Sequence, residues 1–196
     1  MSQHPIPTNA PDAQAIARPV YLLPGWLNSD PDHWQSAWQR LHGDTRVEQN
    51  DWEWPRRGDW MARLDEVLQH DARLRERPAL LVAHSLGCQL VAAWAAHSAH
   101  TARVQGALLV APPDTERDDT PPQLHNWRPI RRPRLPFASI VIASSDDPFC
   151  SPERAAGMAA DWGAEFVLAG PLGHVNAASG LGDWPEGRAL LKRLAA

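Results

Sequence analysis

Three polar residues whose types suit acyl-transfer chemistry lie far apart along the chain, each after an apolar run. Ser85 follows ALLVAH, Asp147 follows SIVIASSD, and His174 follows GPLG. A serine hydroxyl is a weak nucleophile at neutral pH, so it needs a base within hydrogen-bond reach and an acidic group that orients this base. The three residues are therefore candidates for a nucleophile, an orienting acid and a base.

The sequence around the serine favours catalysis. Ser85 lies in Ala83-His84-Ser85-Leu86-Gly87, between an apolar run and a predicted helix. This is the context of a nucleophile elbow, a sharp strand-to-helix turn that requires small residues two positions before and after the serine. Gly87 meets this requirement, and Ala83 stands where glycine is commoner. A serine that caps a helix is the alternative interpretation of the motif alone.

The order of the three residues along the chain adds independent support. Where a nucleophile elbow is used, the triad follows as serine, acid and histidine, which is the order of Ser85, Asp147 and His174. The acid and the histidine both come just past predicted strands, so we expect them at the same edge of a sheet as the serine. Asp146 is a rival acid, and one of the two aspartates is expected to be a turn residue before Pro148.

Two backbone N–H groups are predicted to bind the oxyanion that forms during acyl transfer. One belongs to Leu86, directly after the serine. The other belongs to Trp26 in the sequence Leu23-Pro24-Gly25-Trp26, which follows the first predicted strand. A plain Pro-Gly turn is the alternative interpretation of this loop.

The chain has 10 tryptophans, and some are expected to line a pocket. Trp52, Trp54 and Trp127 are candidates because they fall in predicted loops or at element ends, although core packing is the alternative for each. His125, in a long loop, is a further candidate for the site, and His84 is expected to point away from it. Surface or packing roles are expected for the histidines on predicted helices, which are His33, His42, His70, His97 and His100.

The composition excludes several classes of protein. The chain has 196 residues, and its 19 Lys+Arg against 23 Asp+Glu leave no basic excess for tight binding to nucleic acid. Cys88 and Cys150 have no metal-ligand spacing and are too few for a disulfide framework, so we expect two reduced thiols in a cytoplasmic protein. No metal and no cofactor are predicted. The expected partner is a small-molecule ester, and the sequence leaves open whether a protein partner exists.

Short apolar runs alternate with helical patterns, which predicts an α/β fold: a three-layer α/β/α sandwich around a mostly parallel sheet of about six strands. The predicted strands are 20–23, 45–49, 79–83, 107–111, 139–144 and 165–169. The predicted helices are 32–41, 59–74, 86–97, 151–162 and 185–194, with Asp59 and Ser151 as caps of the second and fourth.

Two segments stand apart from this alternation. Residues 1–17 are predicted to be a disordered tail before a single domain at 18–196, and no apolar stretch is long enough to span or anchor in a membrane. Residues 112–136 form a proline-rich connection that leaves the C-terminal end of a strand, where α/β proteins bind ligands. This connection is either a small cap over the site or a solvated loop.

Together, four segments resemble the YdeN-like serine hydrolases, relatives of human retinoblastoma-binding protein nine within the α/β-hydrolase superfamily. They are the LPGW loop and the sequences AHSLGC, SDDPF and GHVN. The resemblance covers roughly residues 19–195 and implies an α/β-hydrolase fold, a Ser-Asp-His triad and no cofactor. It also implies that the acid is the second aspartate of the Asp-Asp-Pro-Phe sequence, Asp147. Pro24 departs from the histidine that many hydrolases have before the glycine.

The leading functional hypothesis is a serine hydrolase that cleaves a small carboxylic ester through an acyl-enzyme, with amides or thioesters as further substrates. A protein-binding module on a hydrolase scaffold, non-catalytic or weakly catalytic, is the alternative, because fold does not fix function. A lyase or transferase with the same triad is a third hypothesis, which the sequence does not separate from hydrolysis.

Overall fold

The structure, a computed structural model, describes Ile16 and residues 18–196. The predicted disordered tail, residues 1–17, lies outside the described residues except for Ile16. The strands are β1 (Val20–Leu23), β2 (Thr45–Arg46), β3 (Ala79–His84), β4 (Val104–Val110), β5 (Ala138–Ala143) and β6 (Glu165–Leu168). The helices are α1 (Trp34–His42), α2 (Arg57–His70), α3 (Leu86–Ala95), α4 (Pro152–Trp162) and α5 (Pro185–Ala195). None of these helices has the length and apolar character needed to cross a membrane.

All six strands pair in parallel, in the order β2-β1-β3-β4-β5-β6. The pairing aligns Leu23 with Ala83 and His84 with Val110. Every strand therefore ends at the same edge, where the residues that follow β1 and β3 are neighbours and those that follow β5 and β6 lie beyond β4. The central strands β3 and β4 are almost entirely buried, which explains their continuous apolar sequences.

Helices cover both faces of the sheet, which confirms the predicted three-layer α/β/α fold. Side chains of α2, α3 and α4 pack on one face with Leu81, Ala83 and Leu109. Those of α1 and α5 pack on the opposite face with Leu80 and Val82. The alternation along β3 explains this division, because successive side chains of a strand point to opposite faces.

Several predicted boundaries differ from the structure, among them the start of the fourth strand, which is Val104 rather than residue 107. The second strand is Thr45–Arg46 rather than 45–49, so it is a short edge strand beside β1. Helix α2 begins at Arg57, before the predicted cap Asp59, and ends at His70, with a separate 3-10 turn at Ala72–Arg75. The side-chain oxygen of Asn126 accepts the N–H of Arg57 at 2.8 Å, so a distant segment caps this helix. Ser151 caps α4 as predicted, since its hydroxyl accepts the N–H of Arg154.

The long connection 112–136 packs against the body of the molecule rather than standing in solvent. It contains the 3-10 helix Pro122–Trp127 and buries the side chains of Leu124, Trp127, Ile130 and Leu135. Arg128 donates to the carbonyl oxygens of residues 115 and 117, which ties the two ends of the segment together. The segment is therefore a fixed wall beside the edge where the strands end.

Candidate active site

The turn after β3 holds Ser85 in an unusual backbone conformation. Its φ of 52° and ψ of −123° lie outside the ordinary helical and extended regions, as a nucleophile elbow requires. A Cβ on Gly87 would lie 2.3 Å from the carbonyl oxygen of Leu23, so only glycine fits where α3 crosses β1. Ala83 is fully buried, and its methyl group is accommodated. The glycine of the motif is thus required by packing, and the alanine fits its buried position.

The residues predicted as nucleophile, base and acid lie in hydrogen-bond contact. The Nε2 atom of His174 is 2.8 Å from the hydroxyl oxygen of Ser85, and its Nδ1 atom is 2.9 Å from a carboxylate oxygen of Asp147. A carboxylate only accepts, so neutral His174 carries its proton on Nδ1 and leaves Nε2 to accept the serine proton. The side chain of Asp147 is only 3% exposed and that of His174 10%. This arrangement can remove a proton from Ser85.

The rival acid Asp146 has different partners. It accepts hydrogen bonds from the Ser144 hydroxyl at 2.7 Å and from the N–H of Gly173 at 2.8 Å. These hydrogen bonds, the one from Ser144 first, lower the pKa of Asp146. Asp146 therefore fastens the turn that precedes His174 and does not contact the imidazole.

The two residues whose backbone N–H groups are predicted to bind the oxyanion, Trp26 and Leu86, lie beside Ser85. Among the described residues, neither Trp26 nor Leu86 uses its backbone N–H in a hydrogen bond, and both residues line the cavity beside Ser85. In this first loop, which follows β1, the next two backbone N–H groups are hydrogen-bonded. That of Leu27 donates to the carbonyl oxygen of Trp52 at 3.2 Å, and that of Asn28 donates to the carbonyl oxygen of Gly25 at 3.1 Å. The loop is thus held in place while the N–H of Trp26 stays available for a ligand.

A cavity of about 470 Å³ opens beside Ser85. Its walls come from the loops after β1, β3, β4, β5 and β6, which meet at the shared edge of the sheet. Pro113, Pro121 and Leu124 bring the connection 112–136 into the wall, and Leu27 and Phe149 are half-exposed apolar side chains that also line it. The cavity is large enough for a small ligand with an apolar group.

Comparison with known proteins identifies the family. Residues 20–193 match the family model described as serine hydrolase. The chain belongs to the serine hydrolase family. No curated protein matches the sequence of this serine hydrolase.

Solved structures support the same conclusion. The serine hydrolase is 30% identical to a protein assigned as a YdeN-like hydrolase from Pectobacterium atrosepticum, with a TM-score of 0.73 over 90% of this chain and 88% of the other. It is 22% identical to the ydeN gene product of Bacillus subtilis, with a TM-score of 0.68 over 90% and 98% of the two chains. The carboxylesterase of Bacillus cereus, at 16% identity, a TM-score of 0.59 and coverages of 90% and 87%, shares the fold.

The three tryptophans predicted to line the pocket do not line the cavity of the serine hydrolase. Trp127 is 1% exposed and packs edge-on against Trp60, which in turn contacts Trp52. Trp54 is exposed and, with His125, borders a separate open depression at the start of α2. The prediction from loop position was therefore wrong: Trp127 packs in the core, Trp52 packs against the core, Trp54 is exposed elsewhere, and Trp26 is the tryptophan at the cavity.

Two other histidines of the serine hydrolase lie at the cavity, although the sequence placed both elsewhere. His84 was expected to point away, yet its Nε2 atom donates to the backbone oxygen of His174 at 2.9 Å. His33 was expected on a helix surface or in packing, yet it is the N-cap of α1 and its ring lies 4.7 Å from that of His84. The Asp-His-Trp sequence before the first helix was the available signal, because a polar ring at a cap faces the strand ends.

The structure offers no alternative centre for metal chemistry within the described residues. Among residues 18–196, no group of three or more His, Cys, Asp or Glu side chains is arranged to hold a metal ion. The two thiols, Cys88 and Cys150, are buried, and burial raises the pKa of each, that of Cys150 to about 12. Neither thiol is therefore an activated nucleophile.

Proposed function

We propose that this serine hydrolase cleaves small carboxylic esters, and also amides or thioesters, with Ser85 as nucleophile, His174 as general base and Asp147 as orienting acid. The observation that carries the proposal is the unbroken contact from Ser85 through His174 to Asp147 at 2.8 and 2.9 Å. Contacts of this length let the imidazole take the serine proton without rearrangement.

In the first half of the proposed reaction, Ser85 attacks the carbonyl carbon of the ester while its proton passes to Nε2 of His174. The carbonyl oxygen becomes an oxyanion, which the N–H groups of Trp26 and Leu86 stabilise. Asp147 stabilises the imidazolium and keeps Nε2 directed at the serine. The intermediate collapses, the alcohol leaves with the proton from His174, and the acyl group remains on Ser85.

In the second half, water enters the place of the alcohol and gives a proton to His174 as it attacks the acyl-enzyme. Collapse of the second tetrahedral intermediate releases the carboxylic acid, and His174 returns the proton to Ser85. No external cofactor enters this sequence, and atoms balance as ester plus water giving acid plus alcohol.

The cavity supports an apolar acyl or alcohol group as part of the substrate. Leu27, Leu124 and Phe149 present apolar surface beside Ser85, and Pro113 and Pro121 add to the same wall. Burial of apolar substrate surface there contributes about 25 cal/mol per Å² to binding. We therefore expect esters whose acyl group carries a short alkyl chain longer than that of acetate to be cleaved faster than the acetate of the same alcohol.

The proposal is tested by labelling with a fluorophosphonate probe and measuring intact mass. Wild type is expected to gain one adduct, Ser85→Ala none, and His174→Ala an adduct at a strongly reduced rate. The variant His125→Ala is a matched control, because His125 is exposed and lies outside the cavity. Esters of p-nitrophenol with graded acyl chains then measure the chain-length preference.

Absence of an adduct on folded wild type would overturn the proposal and favour the binding-module hypothesis. Adduct formation at a residue other than Ser85 would overturn the assignment of the nucleophile. Addition of an alcohol acceptor to the reaction separates hydrolysis from transfer, because a transferase would yield a new ester in place of the acid.

A further inference from the structure

His33 is built into the same cavity as Ser85 but takes no part in the proposed proton transfer. It lies in the loop between β1 and α1 and is 3% exposed, and its ring lines the cavity wall. Its Nδ1 atom accepts the backbone N–H of Gln35 at 3.1 Å, which caps α1. This cap fixes the position of the imidazole.

The cap also fixes the tautomer of His33. A nitrogen that accepts an N–H carries no proton itself, so in the neutral ring the proton lies on Nε2. This Nε2 is buried and has no hydrogen-bond partner among the described residues. A buried donor without a partner is unfavourable, and His33 lines the cavity, so a ligand oxygen is a candidate for the missing acceptor.

His33 stays neutral over the ordinary range of pH. Burial lowers its pKa to about 4, and the positive charges of Arg46 and His174, when present, act in the same direction. Asp30 acts in the opposite direction and has the smaller effect compared with burial. The neighbouring ring of His84 is also buried, and burial holds its pKa well below the usual value. An uncharged N–H donor can bind an uncharged oxygen and does not require an anionic acceptor.

The ring of His84 packs beside that of His33 and is the aromatic face that could compete for this N–H. The two rings lie 4.7 Å apart with an interplanar angle of 65°, which is an edge-to-face arrangement. An N–H directed at an aromatic face gains less than one directed at an oxygen. A substrate oxygen that reaches Nε2 therefore still improves binding.

We propose that His33 determines specificity: its Nε2–H donates to a second oxygen of the substrate, so the enzyme prefers esters with an ether, hydroxyl or carbonyl oxygen besides the reacting ester group. This inference rests on the hydrolase function proposed above and names the substrate class for the same cavity. It joins a polar contact at His33 to the apolar wall at Leu124 and Phe149.

The test uses pairs of esters that differ in one atom. Each pair contains a plain alkyl ester and an analogue in which one methylene is replaced by an ether oxygen, at successive positions of the acyl chain or of the alcohol. The ratio of kcat/KM within each pair is measured for wild type and for His33→Asn. Because both enzymes see the same two esters, intrinsic differences in ester reactivity cancel between them.

His33→Asn is chosen because asparagine is a good N-cap, so α1 keeps its cap while the donor at Nε2 is removed. For at least one oxygen position, the ratio is expected to fall by about tenfold in His33→Asn, which is the loss of about one hydrogen bond. His125→Asn, outside the cavity, is expected to keep the wild-type ratio. Melting temperatures of all variants show whether the fold is retained.

The outcomes separate the two proposals. If Ser85 reacts with the fluorophosphonate and esters are cleaved, but the ratios of wild type and His33→Asn agree at every position, the role of His33 is wrong and the hydrolase function stands. If Ser85 does not react, the hydrolase function fails first. An equal loss on both members of each pair would assign His33 a purely structural role and also overturn the inference.

Discussion

Two adjacent aspartates illustrate how partners decide chemistry at the scale of single residues. Asp147 contacts the imidazole of His174, whereas Asp146 contacts Ser144 and the N–H of Gly173. Both follow the same strand and precede the same proline. The two side chains leave the turn in different directions. Asp147 therefore contacts the imidazole of His174, and Asp146 accepts the backbone N–H of Gly173, the residue before it.

Substitution of each aspartate by asparagine tests this difference. For Asp147→Asn we expect kcat to fall by about 10³- to 10⁴-fold, because the amide favours the wrong imidazole tautomer. For Asp146→Asn we expect a small change, because an amide oxygen still accepts from Ser144 and Gly173. Steady-state hydrolysis of a p-nitrophenyl ester measures both. A larger loss in Asp146→Asn would exchange the two roles.

The buried histidines predict how stability depends on pH. The pKa of His33 is about 4 in the folded protein, against 6.5 for the free side chain, and burial also lowers that of His84. The unfolded chain therefore binds protons that the folded chain excludes, so stability is full above pH 6.5 and is lost as the pH falls toward 4. For His33 alone we expect a loss of about 3 kcal/mol.

Urea unfolding at pH 7 and pH 4.5 measures this loss. Wild type is expected to lose more stability between the two values than His33→Asn, whereas His125→Asn is expected to follow wild type. Equal losses in wild type and His33→Asn would show that His33 is hydrated and protonates freely in the folded protein.

At the scale of elements, the crossing of β1 and α3 fixes the serine. The helix approaches so closely that a Cβ on Gly87 would lie 2.3 Å from the oxygen of Leu23. Any larger residue must push the start of α3 and the end of β1 apart. The loop after β1 carries the N–H of Trp26, so the packing of these two elements sets the geometry of the proposed oxyanion site.

Two glycine-to-alanine substitutions compare this crossing with an open helix face. Gly87→Ala is expected to destabilise the protein by about 2 kcal/mol or more, because overpacking forces backbone shifts, and to reduce ester hydrolysis. Gly157→Ala, in α4, meets nothing within 4 Å. It is expected to be neutral or to stabilise by about 0.5–1 kcal/mol through helix propensity. Urea denaturation and a p-nitrophenyl ester assay measure both variants.

Equal stability of Gly87→Ala and wild type would mean that α3 can move away from β1 without cost.

The start of α2 shows why helix boundaries cannot always be predicted from the local sequence. Helix α2 starts two residues before its predicted cap because Asn126, about 70 residues further along the chain, accepts the N–H of Arg57. Nothing near Arg57 in the sequence signals that contact.

At the scale of the whole molecule, ion pairs hold the wall of the cavity in place. Arg154 of α4 pairs with Asp114 at 3.1 Å and with Glu116, at the start of the connection 112–136. Glu116 also accepts the N–H of Ile130 at 3.1 Å, near the end of the connection. The connection therefore behaves as part of the body rather than as a free loop.

Limited proteolysis with trypsin tests this anchoring. Arg154→Gln removes the ion pairs, and we expect several-fold faster cleavage after Arg117 and Arg131, because cleavage follows the local opening of the segment. Arg193→Gln, which breaks an exposed pair with Glu165, is the matched control and is expected to cleave like wild type. Rapid cleavage of wild type within 112–136 would contradict the anchored segment.

The sequence by itself determined the sheet, the serine turn and the order of the three residues at the candidate site. A short continuous apolar run such as residues 79–83 is typical of a central parallel strand, and the serine and glycine that follow it indicate the strand-to-helix turn. The ends of parallel strands share an edge, so the sequence predicts that Ser85, Asp147 and His174 lie at one edge of the sheet.

Only the tertiary structure decided which side chains line the cavity. Trp127 entered the core because the space beside Trp60 required a large apolar ring, while the cap of α1 directed His33 into the cavity. Such choices depend on loops from five strand ends packing against one another, and each contact joins residues far apart in the chain. Local sequence carries no information about which partner each side chain will meet there.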